Sequence, residues 1–182
     1  MKTMKTALIA VLIVIAVLVL GVAAFAFSGL YDVGADVPHT ALVARLLEAA
    51  RDRSTEAHAN GIVVPKLDNP ALIAEGAENY AEMCTGCHLA PGMQDTEIRK
   101  GLYPQPPNLA LDGVDNPAEA FWIIKHGIKM TAMPAWGATH DDAKIWAMVA
   151  FLGKLPAMSP AEYGNLTAGA DAHDHEHQHD EK

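Results

Sequence analysis

Cys84-Thr85-Gly86-Cys87-His88 is the stretch whose residue types and spacing specify chemistry most sharply. Cysteines three residues apart lie on one side of a helical turn, and a histidine follows directly. That arrangement fixes a haem through two thioether bonds and supplies an iron ligand. No other cysteine occurs in the sequence. A structural zinc site calls for a second such pair or for further Cys and His at finger spacing, and a disulfide framework calls for more cysteines at wider spacing. A redox dithiol also uses the C-x-x-C spacing, but in a strand-helix context and with no use for His88 in that place. The chemistry read from this motif is that of one covalently bound haem c, held by Cys84 and Cys87, with His88 as the proximal iron ligand.

The sixth iron position then decides between carrying electrons and acting on small molecules. Met133 is the first candidate, because Pro134 restricts the backbone of the residue before it and so stiffens the loop that presents the thioether. Met130, three residues earlier, competes with it, and a gap-filling core role is the alternative for Met133. His126 and His140 are the other candidate ligands of this region. Each stands at the end of an expected helix, where a capping or dipole role suffices. A thioether ligand stabilises ferrous iron, and two strong ligands leave no open site, so the iron exchanges single electrons. Proline carbonyls between Pro104 and Pro107 are candidate acceptors for the second ring nitrogen of His88. Tyr103 and Trp136 carry donors suited to haem propionates, with core packing as the alternative for both.

The elements that must position these residues are helical. Asn69-Pro70 places an N-cap before a proline at the first helical position, launching a helix through Glu82 on which Leu72, Gly76, Tyr80 and Met83 share a face. Gly76 in mid-helix costs about 1 kcal/mol relative to alanine, which points to a close helix crossing. From His88 to Asn116, prolines and glycines exclude long regular elements and leave a loop wrapped around something compact. Asn116-Pro117 repeats the cap, starting a helix over Ala118 to His126 with Phe121, Trp122 and Ile124 inward and Gly127 as its stop. A last helix runs from Ala143 to Lys154, with Asp141 and Asp142 at its positive end and Ile145, Trp146, Val149, Phe151 and Leu152 on its apolar side. Upstream, Thr40 is a plausible cap for a short amphipathic helix over Ala41 to Arg53, carrying Leu42, Leu46, Leu47 and Ala50, packed on the domain or lying near the membrane. His39 and His58 flank it and are read as surface or capping residues.

On these residues the sequence resembles a class I c-type cytochrome, and more closely the small membrane-anchored mono-haem cytochromes c of bacteria. The matching stretches are the helix with Gly76 and Tyr80 before the C-x-x-C-H motif, Pro106-Pro107-Asn108-Leu109, the run Gly127 to Trp136 with Met133-Pro134, and Trp146 to Leu152. The resemblance covers Asn69 to Pro156. It implies helices packed around one haem, the first and last crossing near Gly76 and Phe151, axial His88 and Met133, and electron transfer as the activity.

The expected organisation is all-α in four parts: a membrane anchor or signal segment over 1–27, a juxtamembrane linker with the short amphipathic helix over 28–68, the haem domain over 69–158, and a disordered tail over 159–182. The uninterrupted apolar run from Ala7 to Phe27, preceded by Lys2 and Lys5, reaches the length of about 20 residues that a bilayer-crossing helix needs, longer than the usual apolar region of a cleaved signal peptide. Lysines stay on the cytoplasmic side, so a single pass puts the haem domain in the bacterial periplasm. The tail alternates His173, His175, His177 and His179 with polar residues, a composition that cannot bury a core and that either remains solvated or chelates copper, nickel or zinc.

A net charge of −9 argues against nucleic acid and for redox proteins or a respiratory membrane complex as partners. The leading expectation is an electron carrier shuttling single electrons between respiratory complexes. The other classes are a haem enzyme or gas sensor with a labile sixth ligand, and a metal-binding module that uses the tail.

Overall fold

A computed structural model describes residues 2–168, and every regular element among them is helical. The four tail histidines therefore lie outside the described residues. The chain divides into two compact units with the break after Val37.

The first unit is α1 (Lys2–Phe27) and the link that follows it. From Thr3 to Phe27 it is long and apolar enough to cross a membrane, and almost all of its side chains are exposed. Its end is marked by the Ser28 hydroxyl, which donates to the Phe25 carbonyl at 2.7 Å, and by Gly29 at φ 72°.

The second unit runs α2 (Ala41–Ala59), α3 (Pro70–Met83), α4 (Thr85–His88), α5 (Glu97–Lys100), α6 (Leu109–Asp112), α7 (Pro117–His126), α8 (Asp142–Leu152) and α9 (Pro160–Thr167). Its frame is the crossing of α3 over α8. A Cβ built on Gly76 would sit 1.9 Å from the Ala147 carbonyl oxygen, so the two backbones touch at a point that only glycine permits. One turn along, the Tyr80 ring lies 5.3 Å from that of Phe151, and both are sealed in the core with Ile145, Met148 and Leu155. The crossing expected near Gly76 and Phe151 is present, with Ala147 at the closest approach.

The Asn-Pro starts act as read from the sequence. The Asn69 side chain accepts from the Ala71 N–H, and the Asn116 side chain accepts from those of Ala118 and Glu119. On α7, Phe121 and Ile124 are buried, whereas Trp122, expected inward, is half-buried and meets the His58 ring at 5.2 Å. That contact belongs to α2, which runs six residues past its expected end at Arg53. Only its second half is packed, through Thr55 and Ala59, while Leu42, Leu46 and Leu47 remain exposed. Helical periodicity located the stripe but not the neighbour, because it reports which residues share a face and not what that face meets. Thr40 occupies the N-cap position without a side-chain bond.

One further element was absent from the sequence reading, which placed an unstructured tail from 159. Ser159 accepts from the Glu162 N–H while the Glu162 carboxylate takes the Ser159 N–H at 2.8 Å, and this capping box starts α9. The α9 helix packs against α3, and its Tyr163 ring lies 6.2 Å from that of Phe151.

Candidate haem site

The proximal half of the site is a single turn. The Cys87 and His88 N–H groups both donate to the Cys84 carbonyl, at 3.1 and 2.8 Å, and the Leu89 N–H donates to that of Thr85 at 3.0 Å. This winding brings Cys84, Cys87 and His88 onto one short helical segment, as the motif requires. Both cysteines are free and half-buried. Burial, with the neighbouring Cys87 adding to it, pushes the Cys84 thiol up to about 12. A reactive dithiol uses the opposite shift.

His88 is oriented by Pro107. Its Nδ1 lies 3.0 Å from the Pro107 carbonyl, which can only accept, so Nδ1 carries the proton and Nε2 keeps a free lone pair. Burial lowers the His88 pKa, outweighing that bond, and the nearby Arg99 guanidinium pushes the same way. A neutral imidazole with Nε2 free is the form a metal needs. The Pro107 carbonyl falls inside the Pro104 to Pro107 stretch singled out for this role.

Arg99 is the residue that the sequence reading missed. It stands on α5, capped by Thr96, whose hydroxyl accepts from the Arg99 N–H, and only 8 % of it is exposed. Its guanidinium binds the Asp95 carboxylate and donates to the Pro106 carbonyl at 2.9 Å, beside the carbonyl that holds His88. Its Nε is buried without a partner. The Thr96-x-x-Arg99 spacing signals a helical turn, but nothing local tells a buried arginine from a solvated one.

The distal half is the loop from Gly127 to Trp136. Gly127 ends α7 at φ 65°, and a Cβ there would lie 2.7 Å from the Met133 carbonyl oxygen, so the loop returns directly over the helix end. Ile128 donates to the Met133 carbonyl at 3.2 Å, and the Thr131 hydroxyl donates to Ile128 O and accepts from Met133 N. Met133 is half-buried against the core. Met130 sits at the tip of the turn, fully exposed at φ 58°.

The remaining candidates are placed elsewhere. The exposed His126 ring packs 5.1 Å from Trp122, and His140 bonds Thr139 at 2.9 Å while meeting the half-buried Trp136 edge-on. The Tyr103 hydroxyl accepts from the His39 N–H at 3.1 Å, tying the start of the second unit to the proline loop.

These residues fit a haem. Two thiols and an imidazole with a free Nε2 share one turn, a half-buried thioether is held in a braced loop, and the orphaned Arg99 Nε is a buried donor that an anionic cofactor edge would satisfy. A family model described as Cytochrome C oxidase, cbb3-type, subunit III matches residues 71–152, somewhat under half of the chain. No curated protein and no solved structure matches it. The matched span begins just inside α3, ends with α8, and contains both halves of the site. Residues 71–152 are thus a class I c-type cytochrome domain, with a haem electron-transfer role.

Proposed function

We propose that the chain is a membrane-tethered electron carrier with one covalent haem, attached through Cys84 and Cys87 and ligated by His88 and Met133. The observation that carries this reading is the 3.0 Å bond from His88 Nδ1 to the Pro107 carbonyl, which leaves Nε2 as the only ring nitrogen able to take a metal. The braced loop and the half-burial of Met133, against the full exposure of Met130, favour Met133 for the sixth position.

When bound, the haem supplies a one-electron couple whose potential a thioether ligand raises. The chain's own residues keep both ligands in place through the redox change. Pro107 fixes the imidazole plane, the Arg99 charge next to His88 disfavours additional positive charge at the site, and the core excludes water from the buried side.

In this reading the α1 helix serves as the anchor, and the lysines that precede its apolar run support a periplasmic second unit. The acidic balance suits a protein partner. The description of the matched family names a cytochrome c oxidase, and this is the partner class to test first. Loading of the tail histidines with copper, nickel or zinc is a separate proposal, tested by metal titration of the full chain against a form truncated after residue 168.

The visible spectrum of the oxidised and reduced protein tests the ligand set. Wild type is expected to show the weak far-red band of a methionine–ferric-iron bond, and Met133→Ala is expected to lose it. Rapid carbon monoxide binding by reduced wild type, with no far-red band, would replace the electron carrier by the enzyme or gas-sensor class.

A further inference from the structure

Leu89, the residue directly after His88, has φ 63° and ψ 171°. Glycine occupies that region freely, whereas a side chain there is strained and persists only where surrounding structure holds it. Leu89 is also 3 % exposed, so its backbone has no water to bond.

Two bonds hold it. Its N–H donates to the Thr85 carbonyl at 3.0 Å, closing the turn that carries the cysteines. Its carbonyl accepts from the Tyr80 hydroxyl at 2.6 Å. Tyr80 is 1 % exposed, and its ring fills the crossing of α3 with α8 against Phe151. Packing alone accounts for the ring, since phenylalanine has the same shape. It does not account for the hydroxyl, which would be costly in that core without a partner, and which finds it in the carbonyl of the strained residue. Burial raises the Tyr80 pKa, with Cys84 adding to the effect, so the phenol stays protonated and donates.

His88 is therefore fixed along two separate lines. Its ring is held by Pro107, and its main chain by a turn that relaxes if the Leu89 carbonyl is released. Relaxation of φ at Leu89 rotates the chain about the bond that follows the His88 peptide, which redirects the imidazole against its Pro107 anchor.

We propose that Tyr80 is a positioning residue for the proximal ligand: its hydroxyl locks Leu89 in the strained conformation and thereby sets the orientation of His88. This rests on His88 as the proximal ligand.

The test uses the full-length holoprotein with Tyr80→Phe, Leu89→Gly and the double variant. It reads the reduction potential and the ferric electron paramagnetic resonance spectrum, whose anisotropy reports the imidazole plane. Tyr80→Phe is expected to shift both, and the shift is expected to shrink in the Leu89→Gly background, where positive φ carries no strain. An unchanged potential and spectrum in Tyr80→Phe, whatever its stability, overturns the proposal and leaves only packing. An equal shift in both backgrounds overturns it too, because the hydroxyl then acts through something other than the strained turn. If Tyr80→Phe yields no holoprotein, the proposal expects the double variant to fold; failure of the double variant where Leu89→Gly alone folds sinks it. A wild-type spectrum without a histidine-ligated iron is visible before any variant is made, and removes the ligand assignment and this inference together.

Discussion

The two halves of the haem site each hold a non-glycine residue at positive φ, and they hold it by opposite means. Leu89, on the proximal side, is buried and its carbonyl is bonded by a core tyrosine. Met130, on the distal side, is fully exposed at the tip of a turn closed by the 3.2 Å bond from Thr131 N–H to the Ile128 carbonyl. Strain against a core is over-determined by packing, whereas strain at a loop tip is opposed only by local bonds. On the proposed ligation, His88 is thus tied through Leu89 and Tyr80 to the α3 and α8 crossing, and Met133 stands in a loop that follows the end of α7. The expected consequence is that Met133 can be displaced with the core intact, whereas His88 cannot.

The largest effect is expected from Gly76→Ala. Its Cβ would meet the Ala147 carbonyl, a backbone atom that cannot step aside, so the loss should exceed the upper end of the usual 1–3 kcal/mol for overpacking, about 3 kcal/mol or more. Thermal unfolding followed by circular dichroism measures it, and a variant within 1 kcal/mol of wild type, roughly the scale of a tolerated core change, would contradict the crossing. Gly127→Ala breaks the other half. The added Cβ presses on the Met133–Pro134 backbone from a φ that alanine resists, and the far-red band should weaken or vanish at temperatures where the helical signal is intact. Simultaneous loss of band and helix would mean that the distal loop is not separable from the core.

Arg99→Leu sharpens the comparison from the proximal side. It removes a positive charge beside His88 and leaves the Pro106 carbonyl without its donor, so the reduction potential should fall and the unfolding free energy should drop by about 1–3 kcal/mol. Voltammetry showing a raised potential would reverse the sign argued for that charge. Met130→Gly should do little to either half. Relief of the loop strain and the greater freedom of the unfolded glycine nearly offset, leaving a change within about 1 kcal/mol and an unaltered far-red band. Loss of the band would make Met130 the ligand.

The smallest effect concerns α9. The Ser159 hydroxyl and N–H hold the Glu162 carboxylate below the ordinary range. The unfolded state therefore binds the proton more readily, and the cap's contribution is complete above the ordinary carboxylate value and lost as the pH falls through the lowered one. Hydrogen exchange of the first α9 amides should quicken in acid, and Glu162→Gln should remove most of that dependence.

The sequence by itself determined α3, α7 and α8, where they start, and the local winding of the turn that carries Cys84, Cys87 and His88. Asn-Pro pairs, a helix-ending glycine and C-x-x-C-H all act within a few residues, and local rules read them directly. Gly76 even announced a helix crossing, since a mid-helix glycine asks for a close neighbour. The α9 helix was equally local in its Ser159 to Glu162 signature, and was hidden by the composition of the tail that follows. Tertiary structure alone decided the rest. Which proline carbonyl accepts the hydrogen bond from His88, why an arginine on a one-turn helix is buried, and what bonds the carbonyl of a strained leucine all join residues from 7 to 19 positions apart. Such pairings are set by how the helices pack, and a linear pattern carries no record of which distant carbonyl a packed side chain will face.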